Sequence, residues 1–140
     1  MYPERVSDAS ALESELAPLF NRVERLRTRT LITELSGGLT NRNFRVETSQ
    51  GVFVARVSSN SSALLAIDRG SEFINSTIAG NGGVGAKVLD YLPGEGLLVI
   101  SYIEGKTYGA EDVATNLSRI ATSLRSLHAL DSFDHEFNMF

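Results

Sequence analysis

Two adjacent glycines, Gly37 and Gly38, stand between strand-like runs at residues 30–35 and 43–47, and nothing else in the chain restricts the fold as tightly. A glycine has no Cβ, so such a turn takes positive φ at little cost and lets backbone N–H groups come close to an anion. In Ser36-Gly37-Gly38-Leu39-Thr40-Asn41 the last two positions add short polar side chains. Two readings are open at this point. One is a loop that closes over phosphates; the other is an ordinary hairpin connection, because short glycine patterns recur by chance.

After a turn at Ser49-Gln50-Gly51 comes Val52-Phe53-Val54-Ala55-Arg56-Val57, apolar on both faces but for one arginine, which predicts a central strand. Period two places Val52, Val54 and Arg56 on one face and Phe53, Ala55 and Val57 on the other. A charge on the inside of such a strand needs a partner, since burying it unpaired carries a large desolvation cost. Glu72, sixteen positions on and inside a helix-like stretch at residues 64–79, is the expected partner. Arginine's planar fork can bind a carboxylate and a phosphate at once. A purely structural ion pair between helix and sheet is the other reading.

These segments, in this order, resemble the choline/ethanolamine kinase group of the aminoglycoside-phosphotransferase-like enzymes, which share the protein-kinase-like fold. Gly37-Gly38-Leu39-Thr40-Asn41 is similar to the family's G-G-x-[S/T]-N nucleotide loop, and Val54-Ala55-Arg56-Val57 to its third strand, with arginine in the lysine role. Asp68-Arg69-Gly70-Ser71-Glu72 resembles its D-R-x-x-E helix, Ile100-Ser101-Tyr102-Ile103-Glu104-Gly105 its strand-to-hinge segment, and Leu127-His128 its L-H at the end of the first large-lobe helix. The resemblance runs from about Leu31 to His128, and its weight lies in five motifs in family order rather than in any one of them.

The resemblance implies ATP as the nucleotide. It places Gly37, Gly38, Thr40 and Asn41 over the phosphates and Arg56 on the α- and β-phosphates, with Glu72 holding its guanidinium. Val54 would cover the adenine ring, a role that an ordinary core valine also fits, and backbone groups from Ser101 to Ile103 would meet the adenine edge. The implied reaction moves the γ-phosphoryl group to an alcohol of a small substrate such as choline or ethanolamine, by positioning and Mg²⁺ electrostatics. The family's catalytic loop, H-x-D-x-x-x-x-N, has no counterpart here: neither His128 nor His135 is followed two positions on by aspartate. No catalytic residue and no metal ligand is therefore assigned, and Mg²⁺ is expected only with a C-terminal lobe that these 140 residues lack. The expectation is the nucleotide-binding front portion of such a kinase, inactive alone. A short non-catalytic nucleotide-binding or protein-interaction module with a kinase-like lobe is the alternative.

Composition agrees with a globular domain. Hydrophobic residues make up 42% of the chain, enough for a core at this length. Lys and Arg number 13 against 17 Asp and Glu, for a net charge of −4 with no basic run, which argues against nucleic acid and anionic membrane as partners. No apolar stretch approaches the roughly 18 residues of a membrane helix, and the first residues lack a secretory signal, so a cytoplasmic location is the default expectation. With no cysteine, disulfides, thiol catalysis and cysteine zinc sites are excluded.

The predicted architecture is α+β: a five-stranded antiparallel sheet with one inserted helix, a protein-kinase-like small lobe, preceded by a helical segment over residues 8–27. Ser10-Ala11-Leu12-Glu13 reads as a capping box, Pro18 as a kink or restart of the first helix, and Arg22, Arg25, Arg27 and Arg29 as a solvated face. Further strands are expected at residues 86–91 and 97–102. Asn81-Gly82-Gly83-Val84-Gly85 suits a helix end better than a second phosphate loop. The small lobe is expected over residues 1–101, with sheet and helix at 30–101. The hinge and first helix of a truncated large lobe take 102–140. One helix at residues 112–130 would present Val113, Leu117, Ile120, Leu124 and Leu127, and with no lobe to cover them the chain should self-associate. His128 is expected to complement the dipole of that helix, and Glu104 and Asp112 to be solvated acids.

Overall fold

The computed structural model describes residues 9–36, 41–58, 68–130 and 133–134. Helix α1 (Ala9–Phe20) and a single 3₁₀ turn (Glu24–Leu26) lead into strands β1 (Arg29–Leu35), β2 (Asn41–Thr48) and β3 (Gly51–Ser58). Helix α2 (Arg69–Asn81), strands β4 (Val88–Leu92) and β5 (Leu97–Ser101), and helices α3 (Ala110–Thr115) and α4 (Leu117–His128) complete the order. The five strands form one sheet in the order β1-β2-β3-β5-β4, and every neighbouring pair is antiparallel. The apolar strand β3 is therefore central, with α2 inserted after it, as the sequence predicts.

Alternation decides which face is core. Phe44 and Val46 of β2, Phe53 and Ala55 of β3, and Leu97 and Val99 of β5 point to one side, where Leu12, Leu16 and Phe20 of α1 cover them. The helical spacing of four aligns those three side chains in one stripe. Phe20 meets Phe44 edge-on at 6.2 Å, and both are fully buried. Pro18 lies inside α1 without dividing it, and Ser10 is a helical residue rather than a cap, with Glu13 turned instead to Arg29. The opposite face receives α2: Phe73 stacks on Tyr91 of β4 with centroids 4.5 Å apart, and Glu72 reaches Arg56 of β3.

Asp68 caps α2, its Oδ1 accepting the Gly70 N–H at 2.8 Å. At the other end Gly82 and Gly83, the latter at φ +74°, turn the chain toward β4, so the glycine cluster is a helix end. Gly80 sits so close to the chain entering β4 that a Cβ would lie 2.6 Å from the Ala86 carbonyl oxygen.

Two further expectations are corrected. The arginines after α1 are not simply a solvated face. Arg22 pairs with Glu95 and Arg25 with Asp90, Arg27 donates to the Asn21 carbonyl, and Arg29, its side chain only 7% exposed, donates to Glu13 at 2.5 and 2.9 Å. Arg29 is held further by Asn21 and the Leu26 carbonyl and lies 5.8 Å from the Phe20 ring centroid. The long terminal helix is two, because Asn116 leaves helical geometry and donates its side-chain amide to the Asp112 carbonyl. Leu117 and Leu124 remain exposed, while Ile120 and Leu127 are half-buried toward Val84.

Candidate functional site

The face of the sheet opposite α1 opens into a cleft of about 700 Å³, lined by Asn43 and Arg45 of β2, Val54 and Arg56 of β3, Ile100 and Ser101 of β5, and the segment Tyr102 to Thr107 beyond it. Register explains the assembly. Asn43 pairs with Arg56 and Arg45 with Val54 across β2–β3, and Val54 pairs with Ile100 across β3–β5, so these side chains share one face.

Arg56 is the organising cation. Its Nε donates to Asn43 Oδ1 at 3.3 Å, and its Nη1 to Glu72 Oε1 at 2.9 Å. Glu72 accepts a second guanidinium, Arg69 Nη1, at 2.6 Å on its other oxygen. Burial, the largest single influence, pushes the Glu72 carboxyl up, but the hydrogen bonds and positive charges of Arg69 and Arg56 together outweigh it, and the group ends below the usual carboxylate value. Two guanidinium groups thus share one carboxylate. Nε and Nη2 of Arg69 are buried with no hydrogen-bond partner. Of the two cations, Arg56 is the one that lines the cleft and can meet an anion there.

The other end is apolar and aromatic. Val54 and Ile100 form a floor two strands wide, Arg45 lies over the Tyr102 ring at 5.2 Å and pairs with Glu47, and Ile103 stands 64% exposed at the rim. Ser101 is tied to the chain entering β4: its N–H donates to the Lys87 carbonyl at 2.9 Å and its Oγ accepts the Lys87 N–H at 3.0 Å. Its N–H is thus committed inside the sheet and not to the cleft.

Of the residues singled out from sequence, Val54, Arg56, Ser101 and Ile103 line the cleft, and Glu72 stands behind it, against Arg56. Gly37, Gly38 and Thr40 lie outside the described residues. Asn41 is not a loop residue but the first of β2, paired with Ser58, and its Oδ1 is buried with no hydrogen-bond partner. Sequence reasoning passed over the side chains of Asn43, Arg45 and Tyr102. The signal for the first two was present: period two from Asn41 puts Asn43 and Arg45 on its face. Tyr102 left no pattern to read. His128 sits exposed on the last turn of α4, and Glu104 is exposed. Asp112 has a structural role, accepting the Gly109 N–H at 2.9 Å and Lys106 Nζ at 2.7 Å; these hydrogen bonds, Lys106 first, hold its carboxyl below the usual range.

Residues 31–138 match the model of the phosphotransferase enzyme family. No curated protein matches the chain. Among solved structures, a choline/ethanolamine kinase family protein from Mesorhizobium loti superposes with a TM-score of 0.67 at 26% identity, over 92% of this chain and 41% of its own. The choline kinase LicA from Streptococcus pneumoniae gives a TM-score of 0.69 at 20% identity, over 92% of this chain and 43% of its own. The chain therefore spans about two fifths of the length of these structures. The five-stranded sheet with its inserted helix is the small lobe of a choline-kinase-like fold.

Proposed function

Because the chain belongs to the phosphotransferase enzyme family, we propose that it is the nucleotide-binding front portion of a small-molecule kinase that moves the γ-phosphoryl group of ATP to an alcohol such as choline or ethanolamine. The observation that carries this reading is Arg56, projected from a central strand into a 700 Å³ cleft and fixed there by Asn43 and Glu72. A cation on a rigid strand, already oriented, binds a phosphate without first ordering itself. In this reading Val54 and Ile100 support the adenine, the segment from Ser101 to Ile103 borders its edge, and Gly37, Gly38, Thr40 and Asn41 close over the phosphates.

In the full reaction the acceptor oxygen forms the new bond to phosphorus, the bond from phosphorus to the bridging oxygen of ADP breaks, and the hydroxyl proton passes to a base. The chain contains no H-x-D-x-x-x-x-N loop to supply that base. Magnesium, which the family implies, finds no donor set here: no group of three or more histidine or acidic side chains among the described residues is placed to hold a metal ion. What these residues contribute is binding and orientation. We assign the base, the metal ligands and the acceptor pocket to sequence other than these 140 residues, and expect no turnover from the chain alone. No helix among the described residues is long and apolar enough to cross a membrane, and a cytoplasmic location belongs to the same proposal. Left to itself, the chain should associate with a second copy through the exposed Leu117 and Leu124 of α4.

Calorimetric titration of the purified chain with ATP tests the reading. Saturable binding that weakens about tenfold in Arg56→Met, equivalent to the loss of one charge-assisted contact, is the expected result. Equal affinity of both proteins would remove Arg56 from the site. No binding by either would favour a lobe that serves as an interaction module.

A further inference from the structure

Ser71, in the first turn of α2, is the only polar residue buried among those described. Its hydroxyl donates to Asp134 Oδ2 at 2.7 Å, across 63 positions of sequence, with Asp68 Oδ2 of the helix cap a more distant acceptor at 3.2 Å. One turn further along α2, Asn75 grips the backbone of the same residue from both sides. The Asp134 N–H donates to Asn75 Oδ1 at 2.7 Å, and Asn75 Nδ2 donates to the Asp134 carbonyl at 3.2 Å. At the far end of the helix Leu130 lies so close over Gly82 that a Cβ there would collide with it. The chain that leaves α4 is thus fastened to α2 near both ends. Ser71 and Asn75 are four residues apart and share one face, and Glu72 is the immediate neighbour of Ser71 on a rigid helix.

We propose that Asp134 is a positioning residue: by fastening Ser71 and Asn75 it holds α2 at the height and rotation at which Glu72 meets Arg56. The need is physical. Rotating a helix by one residue swings a side chain through about 100°, and a displacement of only 1 Å lengthens the 2.9 Å Arg56–Glu72 bond beyond hydrogen-bonding range. Inside the small lobe α2 rests on the stacked pair Phe73–Tyr91, which leaves its first turn to be fixed by polar contacts. Aromatic stacking tolerates sliding, whereas three directed hydrogen bonds to one residue do not. The chain after α4 would thereby set the cation of the cleft without touching it. The effect on nucleotide affinity rests on the nucleotide-binding reading; the fastening itself does not.

The test uses the full chain, isotopically labelled, with the Glu72 side-chain carboxyl titrated by NMR. In Asp134→Ala, which removes the Ser71 bond, and in Asn75→Ala, which removes both backbone bonds, Glu72 should titrate closer to the usual carboxylate value as its guanidinium partners move away. Simple deletion of the Asp134 charge acts in the opposite direction, since losing a nearby anion makes Glu72 easier to ionise. Asp134→Asn keeps an acceptor for Ser71 and should leave the Glu72 titration at or below its wild-type position. With ATP as probe, Asp134→Ala should raise Kd about fivefold to tenfold in the wild-type background and have no further effect in Glu72→Gln, as required of a residue acting through Glu72. A Glu72 titration unmoved or lowered in both alanine variants would overturn the proposal. A wild-type chain that binds no ATP would count against the nucleotide reading alone, and the Glu72 titration would then decide the fastening.

Discussion

Arg56 and Glu72, sixteen positions apart in sequence, meet at 2.9 Å between Nη1 and Oε1, and Glu72 offers its other oxygen to Arg69 at 2.6 Å. The carboxylate is the hub on which one cation of the cleft floor and one of the helix both depend. Half-buried acids with two guanidinium partners are costly to neutralise, and this links the site to the stability of the lobe.

The link has a pH signature. Glu72 titrates below the usual carboxylate value in the folded chain. A depressed folded value means that the unfolded chain binds the proton more readily, so the contribution of the pair is fully present above the unfolded value of about 4.3 and is lost as pH falls through the folded value. Denaturant melts between neutral pH and about pH 3 should show an acid limb that becomes shallower in Glu72→Gln. An acid limb identical in both proteins would assign it to other groups.

Arg29 and Glu13 form an unequal pair, with side chains 7% and 49% exposed. Truncating the buried partner strands the Leu26 carbonyl and removes the cation packed against Phe20, so Arg29→Ala should destabilise the chain by about 2–4 kcal/mol. Glu13→Gln leaves Arg29 its other acceptors and should cost less than about 1 kcal/mol. Equilibrium unfolding of the two variants checks the asymmetry, and equal losses would contradict it.

Gly80 is tested by a single methyl group. Because the added carbon would lie 2.6 Å from the Ala86 carbonyl oxygen, Gly80→Ala should force α2 away from β4 and cost about 1–3 kcal/mol, outweighing the better helix propensity of alanine. Gly105→Ala, where a Cβ meets nothing within 4 Å, is the matched control and should be close to neutral. Thermal melts of the pair make the comparison.

For α4, light scattering over a range of concentrations should show self-association that weakens in Leu117→Glu and Leu124→Glu, whose wild-type side chains are 62% and 48% exposed. Burial of each leucine at a second copy is worth about 1.5–3 kcal/mol before the cost of association. A wild-type chain that stays monomeric at high concentration would show that Leu127 and Ile120, already half-buried toward Val84, satisfy the helix within one copy.

By itself the sequence determined the order of the five strands and the inserted helix, the central place of Val52 to Val57, and the alternation that puts Phe53 and Ala55 on one face and Val54 and Arg56 on the other. Those features follow from local periodicity, which every residue carries whatever surrounds it. The Arg56–Glu72 pair was legible for a related reason, since a lone charge on an apolar strand must be answered. Only the tertiary structure decided that Asn43 is the second anchor of Arg56, that Ser101 spends its N–H on Lys87, and that the Arg29 side chain is covered and paired with Glu13 rather than part of a solvated face. It alone brought Asp134 to Ser71 and Asn75. These are pairings between polar groups far apart in the chain, and a polar residue looks the same in sequence whether water or a distant partner satisfies it.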